Sequence, residues 1–186
     1  MRDGKPSTKL GCLFAQLREE SLSGEPRVCL ETMSGMTRQV EGLRSESRFG
    51  GLAMTIDEPV SFGGTGTAPN PAEVMLAALG ASIEVTVRCY ADFLGVQVRS
   101  IGVELSAEMN SQGFFGTGAG IRSGFPAISA VVKIVSDEEP DAFSELLEIA
   151  ERCCPVLDNV KRPTQVTLSL DVVKPRENSV NLEQTV

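Results

Sequence analysis

Sulfur is the only strong nucleophile this sequence offers. The 186 residues contain no histidine, which removes the commonest general base and the commonest transition-metal ligand, and with them Ser-His triads and most zinc sites. Chemistry has to run on cysteine, with arginine and carboxylates to assist. The five cysteines are Cys12, Cys29, Cys89, Cys153 and Cys154. None has the C-x-x-C spacing of a zinc or thioredoxin-like site, and an odd set does not make a disulfide framework. Pro155 follows the adjacent pair, so Cys154 falls just before a helical turn, where the dipole favours a thiolate. A bond between Cys153 and Cys154 would strain the intervening peptide. Cys89 reads either as a small apolar filler in a buried helix or as a displaced redox thiol. The glycines of S-F-G-G-T-G-T-A-P-N-P could cradle a phosphate. Their spacing matches neither a P-loop nor a dinucleotide fingerprint, and tight-turn chemistry accounts for them better.

The element that must position these groups is Asn70 to Val96. Asn70 can cap a helix, Pro71 suits its first position, Glu73 can bond back to the cap amide, and Gly95 supplies a stop. Apolar residues occur on almost every face between those ends, so the spacing predicts a buried helix of about 24 residues, roughly 36 Å long. Glu84, Arg88 and Asp92 interrupt it too often for a membrane span. Before it, V-C-L-E-T-M, R-Q-V-E-G-L-R-S-E-S-R-F and G-L-A-M-T-I-D alternate and read as an antiparallel meander of three strands. After it, the stretches from Val96 to Met109 and from Ala127 to Val135 should pair as antiparallel strands. The glycine-rich connection between them carries Phe114 and Phe115, which could guard an apolar site or pack across a dimer seam. A second helix is expected from about Pro140 to Cys153, with Phe143, Leu146, Leu147, Ile149 and Ala150 on its buried stripe. A further helical turn follows Pro155, and P-T-Q-V-T-L-S-L-D-V-V reads as a last strand. This order is α+β and largely antiparallel rather than doubly wound.

The boundaries read as an N-terminal arm over residues 1–27, holding a short helix at Leu10, Leu13, Phe14 and Leu17, then one domain over 28–174 and a tail over 175–186. A net charge of −8 without a basic block argues against nucleic acid or an anionic membrane as partner. The polar start lacks the apolar run of a signal peptide, which points to the cytoplasm. No cofactor or metal is expected.

Across D-E-P-V-S-F-G-G-T-G-T-A-P-N-P-A-E-V-M-L-A-A-L-G-A-S, then T-V-R-C-Y-A and E-R-C-C-P-V-L-D, the chain resembles the OsmC/Ohr family over residues 48–173. The resemblance implies an intertwined α+β homodimer with long central helices wrapped by antiparallel sheets. It also implies thiol-dependent reduction of organic hydroperoxides: a cysteine of the long helix attacks, a cysteine of the C-P-V turn resolves, and an Arg and a Glu activate the first thiol. Carried onto this chain, the attacking position is Ser82 and the resolving position is Cys154. The activating carboxylate position is Ala72, with Glu73 one place later. Arg38, Arg44 and Arg48 are the candidates for the arginine. A serine hydroxyl cannot become a sulfenic acid and has no base to activate it. The expected function is therefore that of an OsmC-like protein of the hydroperoxide and stress-response family with lost or weakened peroxidase activity. One alternative is turnover through a displaced Cys89 and Cys154 pair; another is a non-catalytic dimer that is structural or binds a small apolar molecule.

Overall fold

The computed structural model describes residue 6 and residues 8–24 and 30–174. In chain order its elements are α1 (Lys9–Ser23), β1 (Gly35–Glu41), β2 (Arg44–Phe49), β3 (Leu52–Ile56), α2 (Pro71–Leu94), β4 (Ser100–Ala107), α3 (Ser111–Phe115), β5 (Ile128–Val135), α4 (Ser144–Cys153) and α5 (Pro155–Lys161). Among the described residues β1-β2-β3 form one antiparallel sheet and β4-β5 another.

The start of α2 is fixed twice over. The Glu73 amide donates to Asn70 Oδ1 at 2.9 Å while the Asn70 amide donates to Glu73 Oε2 at 2.8 Å, a complete capping box ahead of Pro71. The helix stops at Gly95 as its sequence requires. In length and hydropathy it would suffice to cross a membrane, but here it is the core helix. Leu79, Ile83 and Val87 pack with Ala150 and Cys154 against the inner faces of β4 and β5, whose Ile101, Val103 and Leu105 stand opposite Ile134, Val132 and Ala130. Gly80 makes the approach possible, because a Cβ there would meet Leu105 Cδ1 at 2.8 Å. Farther along, Ala91 and Leu94 pack with Leu146 and Ile149 of α4. The arm helix α1 docks here too: Thr8 Oγ1 donates to Asp92 Oδ2 at 2.8 Å, and Phe14 meets Tyr90 and Phe93 edge to face.

Several expectations need correcting. The helix is not covered all round, since Met75 and Val85 are exposed. The meander has three strands, but V-C-L-E-T-M is not one of them: residues 30–33 make no ladder, and residues 25–29 lie outside the described set. The second alternating stretch instead divides into β1 and β2 around Gly42, whose φ of 52° suits a tight turn. Residues 163–173 form no strand either. Val166, Leu168, Leu170 and Val172 keep their alternation but stand exposed, because no strand edge among the described residues meets them and an unpaired backbone makes no ladder. Leu147 is exposed as well, leaving Leu146, Ile149 and Ala150 as the buried stripe of α4. The glycine-rich connection contains α3, which the 3.6-residue pattern is too short to reveal.

Asp57 organises the loop between β3 and α2. It is almost wholly buried, at 1% exposure. Its carboxylate accepts from the Thr65 hydroxyl at 2.5 Å and the Thr67 hydroxyl at 3.1 Å, and from the amides of Glu58, Thr65 and Thr67. The Asp57 amide donates to the Pro69 carbonyl at 3.1 Å, which closes the loop beside the cap of α2. The Thr65 hydroxyl, opposed by burial and joined by the other donors, holds this carboxyl well below the usual carboxylate range. A pKa depressed by folding stabilises the protein above the ordinary value near 3.9 and loses that contribution as pH falls through the folded value. Asp57→Asn should therefore lower the melting temperature at neutral pH by several degrees and flatten the acid limb of the stability profile below about pH 4. Thermal scans from pH 2 to pH 7 on both proteins check this; profiles of the same shape would contradict it.

Candidate functional site

Where α4 gives way to α5, the backbone at Cys154 is extended and Pro155 starts the next helix. This corner presses against the middle of α2. Ser82 Oγ lies 3.1 Å from Cys154 Sγ, hydrogen-bond distance in either donor sense. Cys154 is 1% exposed and shares a cluster with Leu79, Ile83, Val87 and Ala150. The Thr86 hydroxyl bonds back to the Ser82 carbonyl at 2.8 Å, leaving the Ser82 side chain free to face the sulfur. The two residues are 72 apart in sequence, and the fold alone brings them together.

The other residues that sequence reasoning picked out lie elsewhere. Cys89 is half-buried on α2, where burial first and the Asp92 charge second push its thiol pKa up, away from the reactive thiolate. The group partnered with the Cys154 sulfur is not the Cys89 thiol but the Ser82 hydroxyl. Cys153 is exposed and engages Tyr90, whose pKa is raised by burial and then by its hydrogen bond to Cys153. Glu73 is spent in the capping box, and Ala72 lines a cavity instead of supplying a carboxylate. Arg38 of β1 and Arg48 of β2 both lean toward Glu46, at 3.9 and 4.0 Å, and are largely exposed. Arg44 has its Nε buried without a hydrogen-bond partner among the described residues. No hydrogen bond or ion pair among the described residues links any of the three to Ser82 or Cys154.

Sequence reasoning expected an apolar site guarded by Phe114 and Phe115 but did not locate the cavity, which shares wall residues with the cluster around Cys154. Its volume is about 840 Å³, and Met75, Leu79 and Ile83 of α2, Ile128 and Val132 of β5 and Ala150 of α4 form much of its wall. Leu79, Ile83 and Ala150 belong both to the cavity wall and to the buried cluster that includes Cys154. The nearest sequence signal was the Phe114 and Phe115 pair. These rings close on Phe62 at 5.3 and 5.9 Å, and tie the loop before α2 to the connection whose Met109 and Phe125 reach the cavity.

The sequence profile of OsmC-like proteins matches residues 64–169, more than half of the chain, and spans both Ser82 and Cys154. The chain belongs to the OsmC-like family. Solved structures agree on the fold. An OsmC-like protein from Mycoplasma pneumoniae superposes with a TM-score of 0.61 at 14% identity, over 70% of this chain and 88% of that one. The organic hydroperoxide resistance protein OsmC of Legionella pneumophila gives 0.54 at 18% identity, over 72% and 91%. The organic hydroperoxide resistance protein OhrB of Bacillus subtilis gives 0.50 at 19% identity, over 72% and 93%. Comparison with curated protein sequences gives no significant match. Identities this low carry the OsmC fold and no more.

In this OsmC-like chain Glu73 has a structural assignment that can be tested. Glu73→Ala removes one half of the capping box and should cost about 0.5–1 kcal/mol of stability while leaving any reactivity of Cys154 unchanged. Chemical denaturation together with alkylation kinetics at Cys154 separates the two. A loss of reactivity without loss of stability would make Glu73 part of the site.

Proposed function

We propose that this OsmC-like protein belongs to the organic hydroperoxide and stress response, and that its site is a two-thiol site reduced to one thiol, with weak or no peroxidase turnover. The observation that carries this reading is the 3.1 Å approach of Ser82 Oγ to Cys154 Sγ. A thiol at position 82 would face Cys154 at a distance from which a small side-chain rotation forms a disulfide. A hydroxyl there can neither take oxygen from a peroxide nor form that bond. The fold likeness to hydroperoxide resistance proteins in Legionella pneumophila and Bacillus subtilis supports the assignment of substrate class. The cavity supports a second reading: a volume of about 840 Å³ with mostly apolar walls suits a small apolar molecule bound without turnover.

We further propose that the working form is a homodimer. Val85 and Met75 of α2 and Val166, Leu168, Leu170 and Val172 stand exposed, apolar surface of the kind that a wrapped partner would cover. Light scattering at micromolar concentration should give twice the 19.8 kDa chain mass; the monomer mass would defeat this part of the proposal.

The chemical test is consumption of cumene hydroperoxide with a dithiol reductant. The native protein should turn over slowly or not at all, and Ser82→Cys should raise the rate. The introduced thiolate attacks the peroxide, and Cys154 then closes the disulfide. The gain should be partial, because Ala72 supplies no carboxylate to orient an activating arginine, and losing such a preorganised partner costs on the order of 10²-fold. Ser82→Cys with Ala72→Glu should exceed the single change. A native rate equal to that of Ser82→Cys, and abolished by Cys89→Ala, would show that the displaced cysteine does the chemistry.

A further inference from the structure

The cavity wall is not uniform. Most of it is apolar, with Met75, Leu79 and Ile83 of α2 facing Ala130 and Val132 of β5, but the connection between β4 and β5 brings Arg122 to its edge. The packing of α3 puts that residue there. A Cβ on Gly113 would meet the Arg122 carbonyl at 2.3 Å, so α3 lies directly on the Arg122 backbone and only glycine permits it. The next two residues of α3, Phe114 and Phe115, close on Phe62 and moor the helix to the loop before α2. From this anchored backbone the side chain runs along Gly124, another wall residue, where a Cβ would stand 3.5 Å from Arg122 Nη2. The other cation of the wall, Lys161, already pairs with Glu151 at 3.5 Å. Glu108 shares the adjoining depression with Arg122, but no carboxylate among the described residues lies within ion-pair distance of that guanidinium.

We propose that the cavity binds an amphipathic monocarboxylate, with its apolar chain among Met75, Leu79, Ile83 and Val132 and its carboxylate on Arg122. The proposal rests on the reading of the cavity as a site for a small apolar molecule, and it names the class of ligand. The apolar wall selects the chain: each methylene taken out of water adds to affinity, and about 840 Å³ is room for a drug-sized ligand. The guanidinium selects the head. It presents two parallel N–H donors that match the two oxygens of a carboxylate, and it stays charged at any working pH. A neutral amphiphile of the same chain length would fill the cavity and leave that fork unused. The whole protein selects against anions in general, because a net charge of −8 repels them at long range. An anion held here is therefore held by a local cation, and one guanidinium without a carboxylate partner matches one carboxylate. Binding leaves the ligand chemically unchanged.

The sequence contains no tryptophan, so an environment-sensitive fluorophore reports binding against a dark background. The full chain is titrated with a dansyl-labelled undecanoic acid, which dodecanoate and dodecanol are then used to displace. Dodecanoate should compete on the order of tenfold more strongly than dodecanol, the margin of a charge-assisted hydrogen bond. Arg122→Gln should erase that margin by weakening dodecanoate alone, and Arg122→Lys should keep part of it. Ala130→Trp, which fills the cavity from an exposed position on β5, should weaken both competitors. Equal competition by the two in the native protein, or a margin unchanged in Arg122→Gln, overturns the carboxylate assignment, while the reading of the cavity as an apolar site survives. Competition unaffected by Ala130→Trp would put the amphiphiles elsewhere on the apolar surface and overturn both. Failure of the native protein to bind the probe also overturns both.

Discussion

Leu79, Ile83, Val87, Ala91 and Leu94 bury one side of α2, while Val85 on the opposite side and Met75 in its second turn stand exposed. That unequal cover on a 24-residue helix governs the rest of the molecule. The buried side gathers everything the chain can supply: the inner faces of β4 and β5, the stripe of α4, the corner at Cys154 and, at the far end, α1. Among the described residues nothing covers Val85 on the opposite side. Burying an apolar side chain is worth about 1.5–3 kcal/mol, so the exposed Met75 and Val85 of the central helix leave stabilisation unrealised that the proposed dimer would recover. The sheet β1-β2-β3 fits the same account. It is joined to α2 through the loop organised by Asp57, and Phe49, Leu52 and Met54 on its strands remain exposed.

The site inherits its geometry from that packing. Ala150 buries against α2, Cys154 follows four residues later at the end of α4, and Pro155 turns the chain so that the cysteine faces the helix. The residue on the helix at that height is Ser82, which has the shape of a cysteine with its nucleophile exchanged for a hydroxyl. Packing barely registers the exchange. Redox chemistry does, because a thiolate can be oxidised stepwise and a hydroxyl cannot. On the proposed reading the packing of a two-thiol site survives while its chemistry is weakened, at Ser82 by one exchanged atom and at Ala72 by the missing carboxylate.

Much of this was legible in the residues. Asn70, Pro71, Glu73 and Gly95 bracket α2 because caps and stops are local, and local rules survive any tertiary setting. The alternation from Val96 to Met109 and from Ala127 to Val135 marked two strands that pair as expected, since each has its partner within the chain. The same alternation at 163–173 misled for the same reason, because periodicity reports a face and says nothing about which edge it will meet. Ser82 and Cys154 were legible as a pair only through resemblance; no spacing rule joins residues 72 apart. The Asp57 hub was visible afterwards as a carboxylate followed by Thr65 and Thr67, but many loops carry those residue types. The arginine is the part that stayed open. Arg38, Arg44 and Arg48 sit on a sheet that one chain does not bring to the cysteine, so neither the sequence nor a single protomer separates them.

Burial at Cys154 also selects what can react with it. On the proposed reading an oxidant approaches Cys154 from a cavity with mostly apolar walls that shares Leu79, Ile83 and Ala150 with the cluster around the sulfur. Each buried methylene favours that transfer by about 0.8 kcal/mol, roughly fourfold in local concentration, whereas hydrogen peroxide gains nothing and gives up its hydration on entering. On that reading a hydroperoxide with an aryl or short alkyl group would be enriched in the cavity over hydrogen peroxide, before any difference in intrinsic reactivity. Such selectivity would arise from the wall and not from a recognition group, so it would tolerate many shapes of apolar substituent while disfavouring polar ones.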